Sequence, residues 1–203
     1  MKLCIDPGHG MSNARTGVYD PGAVSGTHQE ASIALIWAHE LRKACEALGV
    51  PVWMTRADAS DAAPVGTRAA RALQAGCTHF VSIHLNAASP EAQGVETVYE
   101  GTPKARFAEG IQNLLVRELG LRNRKTKWAT VDLKRNLAVL RFAGPCALIE
   151  LGFITNASDV GVLLTDEVRI RTCRALAEHL AQVGGLDLPI LATGKKGKPC
   201  DCS

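Results

Sequence analysis

Three polar residues stand where apolar runs end, and their side chains are of the types that bind metals or move protons. His9 follows the run "LCI" within "IDPGHG" (5–10), between two glycines and after a proline. His84 lies near the end of "FVSIHL", and Glu150 ends "CALIE". Imidazole and carboxylate groups are good zinc ligands and are also the usual general acids and bases. All three residues are therefore candidates for metal-assisted or acid–base chemistry.

Strand and helix patterns alternate along the chain. Short apolar runs predict strands at 2–6, 51–55, 79–85, 95–99, 137–141 and 146–151. Apolar residues spaced by three and four predict helices at 31–48, 64–74, 103–119 and 166–182. This alternation is typical of an α/β fold, here a single domain with a largely parallel twisted sheet flanked by helices. We expect this domain to span 1–187, with a flexible Gly/Lys-rich tail at 188–203.

In an open α/β sheet, ligands bind beyond the carboxyl ends of the strands. His9, His84 and Glu150 all fall at that edge, and Glu30 joins them at the start of the first helix, after the Gly-rich segment "DPGAVSGTHQ". Two histidines and one carboxylate with an open fourth position make a catalytic zinc site. We therefore predict that His9, Glu30 and His84 hold one Zn²⁺ ion, and that Glu150 handles protons.

Each residue also has a simpler explanation. A histidine within a strand, such as His84, is more often a core residue than a ligand. An unpaired buried charge is costly, so Glu150 could instead pair with an arginine such as Arg56 or Arg141. His28 is a rival metal ligand, because it lies shortly before the first helix. The conjunction of the four residues at one edge favours the site.

Composition limits the class of protein. The chain has 203 residues, 46% of them hydrophobic and 21% charged, which suits a domain that folds without disulfides. A net charge of +3 is mild, so we expect no nucleic-acid partner. Seven cysteines, mostly in apolar runs, indicate synthesis in a reducing compartment. We expect no signal peptide and no membrane insertion.

Five segments resemble one known family. They are "IDPGHG" (5–10), "YDPGAVSGTHQEASIAL" (19–35), "VWMTRAD" (52–58), "FVSIHLNA" (80–87) and "LAVLRFAGPCALIELGFITNASD" (137–159). Together they resemble the zinc-dependent N-acetylmuramoyl-L-alanine amidases, the type-3 class of peptidoglycan amidases. The resemblance implies that His9, Glu30 and His84 bind zinc and that Glu150 is the catalytic residue.

The resemblance also implies the substrate, which is the amide bond between N-acetylmuramic acid and L-alanine in peptidoglycan. With no signal peptide expected, a phage or prophage endolysin fits: a monomer made in the cytoplasm that acts on the cell wall after release. Two other readings stay open. One is another zinc amidohydrolase or carboxypeptidase on a related fold, and the other is a non-catalytic wall-binding module.

Two further features near the predicted edge have open roles. Asn86 follows the His84 strand and could orient a ligand or bind substrate, or it could be a turn residue. The basic run "RNRKTK" (122–127) is expected to be a solvated loop, and it could also steer anionic wall polymers toward the site.

Overall fold

The structure is a computed structural model that describes residues 1–186. The predicted tail at 188–203 lies outside the described residues. The six strands of the central sheet are β1 (Leu3–Pro7), β2 (Val52–Met54), β3 (His79–Asn86), β4 (Val95–Tyr99), β5 (Asn123–Trp128) and β6 (Cys146–Phe153). The five α-helices are α1 (Glu30–Ala47), α2 (Arg68–Gln74), α3 (Thr102–Leu119), α4 (Ala157–Leu163) and α5 (Asp166–Val183). Within 10–29, four two-residue strands form two small antiparallel pairs.

The sheet has the order β2-β1-β3-β6-β4-β5. Strands β2, β1, β3 and β6 run parallel to one another, whereas β4 is antiparallel to β6 and parallel to β5. The prediction of an α/β domain with a largely parallel sheet is therefore confirmed. Because β4 runs in the opposite direction, its first residues lie at the same edge as the last residues of β6.

Different helices pack on the two faces of the sheet. Side chains alternate between faces along a strand. Residues such as Ile5 and Ile83 face a large core that includes apolar residues of α1, α3 and α5. Residues such as Phe80 and Leu148 face a smaller core with residues of α2 and of the 3₁₀ helix Ala138–Arg141. His84 and Glu150 alternate along their strands with Ile83 and Ile149 of the large core, so they lie on this second face.

Two expectations for individual segments are wrong, and one helix was missed. The run at 137–141 is not a strand, since 138–141 form a 3₁₀ helix whose Val139 and Leu140 pack onto the sheet instead of joining it. The basic run at 122–127 is not a solvated loop, because β5 includes most of it as the edge strand of the sheet. Helix α4 follows Asn156, whose side chain caps it, and was not predicted.

No helix within residues 1–186 is long and apolar enough to cross a membrane.

Candidate metal centre and active-site cleft

His9 occupies a strained turn directly after β1. Its backbone φ is 60°, in the left-handed region that residues other than glycine rarely adopt. Gly10 follows with a φ of 96°. Gly8 lies against the His84 ring, where an added Cβ would come within 2.6 Å of Nδ1. The glycines thus let the backbone pass close to one histidine while it turns to present the other.

Two buried arginines hold the backbone of this turn through hydrogen bonds. Arg56 donates through Nη2 to the Gly8 carbonyl at 2.8 Å, and Arg68 donates to the His9 carbonyl at 2.7 Å. Arg68 also donates to Oδ1 of Asp6 at 2.8 Å, and this ion pair is fully buried. The turn is therefore fixed by charged hydrogen bonds to its backbone, which are stronger than neutral ones.

His9, His84 and Glu30 converge at the carboxyl edge. Nε2 of His9 lies 3.1 Å from Oε2 of Glu30, and Nδ1 of His84 lies 2.9 Å from Oε1. One nitrogen or oxygen atom from each residue lies within 4.8 Å of the others. Glu30 is further fixed by the backbone N–H groups of Ala23, at 2.9 Å, and Leu85, at 3.1 Å. The three side chains form a group that could hold one metal ion.

Asp20 contacts the ring nitrogen of His9 that points away from Glu30, a role that the sequence analysis did not predict. Its Oδ2 lies 3.0 Å from Nδ1 of His9, and its Oδ1 accepts from the Gly22 N–H at 2.9 Å. A carboxylate on the outer nitrogen fixes the orientation of a metal-binding imidazole and makes it a stronger ligand. The sequence signal was the aspartate before Pro21 in "YDPG", which reads equally well as a turn residue.

The carboxylate of Glu30 and the two imidazoles attract one another electrostatically. Burial alone would raise the pKa of Glu30, but hydrogen bonds and positive charge from His84 and His9 outweigh it and hold that pKa well below its usual value. Burial alone would lower the pKa of His9, but Glu30 and Asp20 outweigh it and raise that pKa. The three side chains therefore attract positive charge, which a bound cation would supply.

Glu150 lies beside the group without belonging to it. On β6 it is the register partner of His84 on one side and of Glu96, on β4, on the other. Its Oε2 is buried and has no hydrogen-bond partner among residues 1–186. Burial raises the pKa of Glu150 well above its usual value, and the negative charges of Glu30 and Glu96 raise it further. An unpaired buried carboxylate with a raised pKa is typical of a general base.

Neither arginine that offered a simpler explanation pairs with Glu150. Arg56 donates to the backbone carbonyls of the first turn, and Arg141 donates to Oδ1 of Asn136 at 3.3 Å. His28 is not part of the metal-type group either, and lines a different cleft beside Ile154.

Glu96 is a second site residue that was not predicted. It is buried, accepts from Nδ2 of Asn86 at 2.9 Å, and pairs with Nε of Arg124 at 2.9 Å. The Arg124 guanidinium in turn lies over the Phe153 ring, 4.8 Å from its centroid. The signal was available, because a glutamate within the apolar run "VETVY" is as anomalous as Glu150 in "CALIEL".

The metal-type group, Glu150 and Glu96 line one cleft of about 660 Å³. Glu150 is next to the metal-type group in this cleft, because it is the register partner of His84 on the neighbouring strand. The rest of the lining is mixed. Its apolar side chains include Val98 and Leu148 of the sheet and Leu133 and Leu137 of the segment before the 3₁₀ helix, and its polar side chains include Asp132 and Arg135. The cleft can therefore combine a metal centre, a base and a surface for an extended substrate.

The N-acetylmuramoyl-L-alanine amidase family matches residues 3–182 of this sequence. The chain belongs to this family. It is 30% identical to the amidase AmiC of Neisseria meningitidis over 86% of this chain and 50% of that protein. It is 32% identical to the germination-specific N-acetylmuramoyl-L-alanine amidase of Bacillus subtilis, over 79% of this chain and 70% of that protein. The chain thus spans half the length of the Neisseria relative.

Solved structures agree with the family. The catalytic domain of CwlV, an N-acetylmuramoyl-L-alanine amidase from Bacillus (Paenibacillus) polymyxa, superposes with a TM-score of 0.80 at 25% identity, covering 92% of this chain and all of that one. The prediction of a peptidoglycan amidase of this family is confirmed, as is the predicted enzyme class.

Proposed function

We propose that this chain hydrolyses the amide bond between N-acetylmuramic acid and L-alanine in a zinc-dependent reaction. His9, Glu30 and His84 hold one Zn²⁺ ion, and Glu150 is the catalytic base. The proposal rests on one observation above all: three groups of zinc-binding type converge within 4.8 Å beside a buried carboxylate that has no hydrogen-bond partner among residues 1–186.

The donor set fits zinc. Two imidazoles and one carboxylate are a set that catalytic zinc sites use, with a fourth position left for water or substrate. The surroundings fit as well, because Asp20 holds the outer nitrogen of His9 and a Cβ at Gly22 would lie 2.6 Å from Oε2 of Glu30. The site is thus shaped closely around its ligand atoms and leaves no room for larger residues behind them.

Zinc, when bound, supplies a Lewis acid that activates water and polarises the amide carbonyl. The rest of the chemistry falls to the protein. Glu150 accepts a proton from the attacking water at its unpartnered carboxylate and passes one to the leaving amine of L-alanine. His9 is on the turn held by the arginines and Glu30 is at the buried start of α1, while His84 and Glu150 are on paired strands. Because these elements are stiff, the base and the ligands hold their spacing.

Digestion of purified peptidoglycan tests the proposed reaction. The expected products are stem peptides of unchanged length with new L-alanine amino termini, and Glu150→Gln should abolish their release. Shortened stems would instead indicate a carboxypeptidase. Binding to sedimented walls with no released peptide from the wild-type protein would indicate a wall-binding module.

The extent of the catalytic unit is a further part of the proposal. All four proposed site residues lie between positions 9 and 150 and line the same cleft. We infer that 1–187 is the catalytic domain and that it acts on the cell wall as a monomer. A chain ending at residue 187 should keep the wild-type rate on soluble muropeptides and sediment as a single copy.

A further inference from the structure

The lining of the cleft has an uneven distribution of charge. Apart from the histidines, its charged side chains are the carboxylates of Glu30, Glu96, Asp132 and Glu150 and a single guanidinium, that of Arg135, as far as residues 1–186 are concerned. Arg135 is exposed, and its guanidinium has no hydrogen-bond or ion-pair partner within that part of the chain. A lone cation in a cleft of carboxylates is positioned to bind an anion from outside.

Arg135 belongs to a segment with an ordered hydrogen-bond pattern. We call residues 129–137 the cleft loop, since it joins β5 to the 3₁₀ helix and lines the cleft. At its start, the Ala129 N–H donates to the Tyr99 carbonyl at 2.8 Å. The backbone N–H of Arg135 donates back to the Ala129 carbonyl at 3.0 Å. These bonds fix the backbone of Arg135 and leave its side chain free for a ligand.

The base of the loop is secured by side chains as well. Trp128 donates from its backbone N–H to Oδ2 of Asp132 at 2.7 Å, and from Nε1 to Oε1 of Glu100 at 2.8 Å. Thr130 donates to the same Oε1 at 2.8 Å. Leu133 packs onto the smaller core of the sheet. A loop anchored at both the backbone and the side-chain level can hold a binding residue with little loss of entropy.

The proposed substrate offers a suitable anion. This step rests on the proposed function. Beyond L-alanine, the second residue of the stem is a γ-linked glutamate, whose α-carboxylate is the first free anion on the leaving side of the scissile amide. At about 3.5 Å per extended residue, it lies roughly 7 Å from the scissile nitrogen. Arg135 lines the same cleft as Glu150 and the three proposed zinc ligands, so a stem bound at this site can bring that carboxylate to the guanidinium.

We propose that Arg135 binds the α-carboxylate of the second stem residue, and so makes the enzyme selective for stems in which that carboxylate is free instead of amidated. A guanidinium can form two parallel charged hydrogen bonds with a carboxylate. A carboxamide has one acceptor oxygen and no charge, so it can accept only one hydrogen bond from the guanidinium and forms no ion pair with it.

An alternative role for Arg135 would act through Glu150 and not through the substrate. In that case its loss would change the rate of the chemical step equally for every stem. If Arg135 recognises the carboxylate, its loss instead changes the ratio of the kcat/KM values of two stems that differ only at that carboxylate. The ratio of kcat/KM values therefore separates the two roles, and a change carried by KM identifies binding.

The test uses two soluble substrates, N-acetylmuramoyl-tripeptides ending in lysine whose second residue carries either a free α-carboxylate or an α-carboxamide. The wild-type enzyme should prefer the free acid by roughly 10- to 100-fold in kcat/KM, as expected for a hydrogen-bonded charge pair. Arg135→Gln should lose this preference through a higher KM for the acid, and Arg135→Lys should keep part of it. Lys134→Gln, the same charge change one residue earlier on the loop, should keep the full preference.

Binding provides a second readout that needs no turnover. In a Glu150→Gln background, the dissociation constants for the two tripeptides should differ as the KM values do, and Arg135→Gln should equalise them. An equal loss of rate on both substrates in Arg135→Gln would overturn the proposal, as would a wild-type enzyme that does not distinguish acid from amide. If neither tripeptide nor intact wall is cleaved, the proposed function fails first, whereas the binding experiment still decides on Arg135.

Discussion

Replacement of Arg68 by methionine tests whether the buried ion pair under the first turn holds the site together. Arg68 is 1% exposed, and its guanidinium donates to Oδ1 of Asp6 at 2.8 Å and to the carbonyls of Pro7 and His9 at 2.9 and 2.7 Å. Methionine fills similar space but cannot donate. Within residues 1–186, the Arg68→Met variant leaves the Asp6 carboxylate with only the hydroxyls of Thr55 and Ser82 as donors.

Removing one partner of a buried ion pair costs about 3–5 kcal/mol, because the other charge remains buried and unpaired. The free energy of unfolding of a domain is only about 5–15 kcal/mol, so the variant should fold but lose a large part of its stability. At an m value of about 2 kcal/mol/M, the urea midpoint should fall by roughly 1.5–2.5 M. The double variant Asp6→Asn/Arg68→Met should lose less than the sum of the single variants, because no charge is left unpaired.

The control lies one turn further along the same helix. Arg71 is half-buried, donates to the Ala62 carbonyl at 3.1 Å and lies over the Trp53 ring, 5.8 Å from its centroid. It leaves no buried charge unpaired when it is removed, so Arg71→Met should cost only about 1 kcal/mol. Urea unfolding followed by circular dichroism measures both variants. If Arg68→Met and Arg71→Met lose the same small amount, the Asp6–Arg68 pair does not carry the stability assigned to it.

Three further substitutions test the site. Gly8→Ala should displace the His84 ring, because the added Cβ lies 2.6 Å from Nδ1, and zinc content measured after dialysis should fall while the fold is retained. Asp20→Asn should weaken zinc affinity by roughly 10- to 100-fold in a competition assay with a chelator, and unchanged affinity would contradict its supporting role. Glu96→Gln should move the acidic limb of the pH–rate profile to lower pH, because the negative charge of Glu96 raises the pKa of Glu150 and the base must be ionised to act. A limb that stays in place would show that Glu96 does not act on the base.

The sequence predicted the sheet well where strands are buried on both faces. Runs such as "HFVSIHL" are apolar and bounded by turns, and they became β1, β3 and β6 at the centre of the sheet. The basic run at 122–127 was missed as a strand, because an edge strand needs few apolar residues and its pairing with β4 is a long-range contact. The run at 137–141 is apolar for a different reason, since it covers the sheet instead of extending it.

The candidate site was predicted from residues that interrupt apolar runs. That argument found His84 and Glu150, whose strand positions fix them on one face of the sheet, and the structure places them as register partners. It did not find Glu96, because the reverse direction of β4 brings the start of that strand to the site edge. Asp20 was missed because its role depends on how the segment before α1 folds back onto His9.

Zinc content and amide cleavage, measured on the same preparations of wild type, Glu30→Gln and Glu150→Gln, test the central claim most directly. The wild-type protein should hold one zinc ion per chain and release peptide from N-acetylmuramoyl-peptides. Glu150→Gln should hold the same zinc and release none, and Glu30→Gln should hold no zinc after dialysis. Full zinc in Glu30→Gln, or undiminished cleavage by Glu150→Gln, would contradict the separation of metal ligands from base on which the account depends.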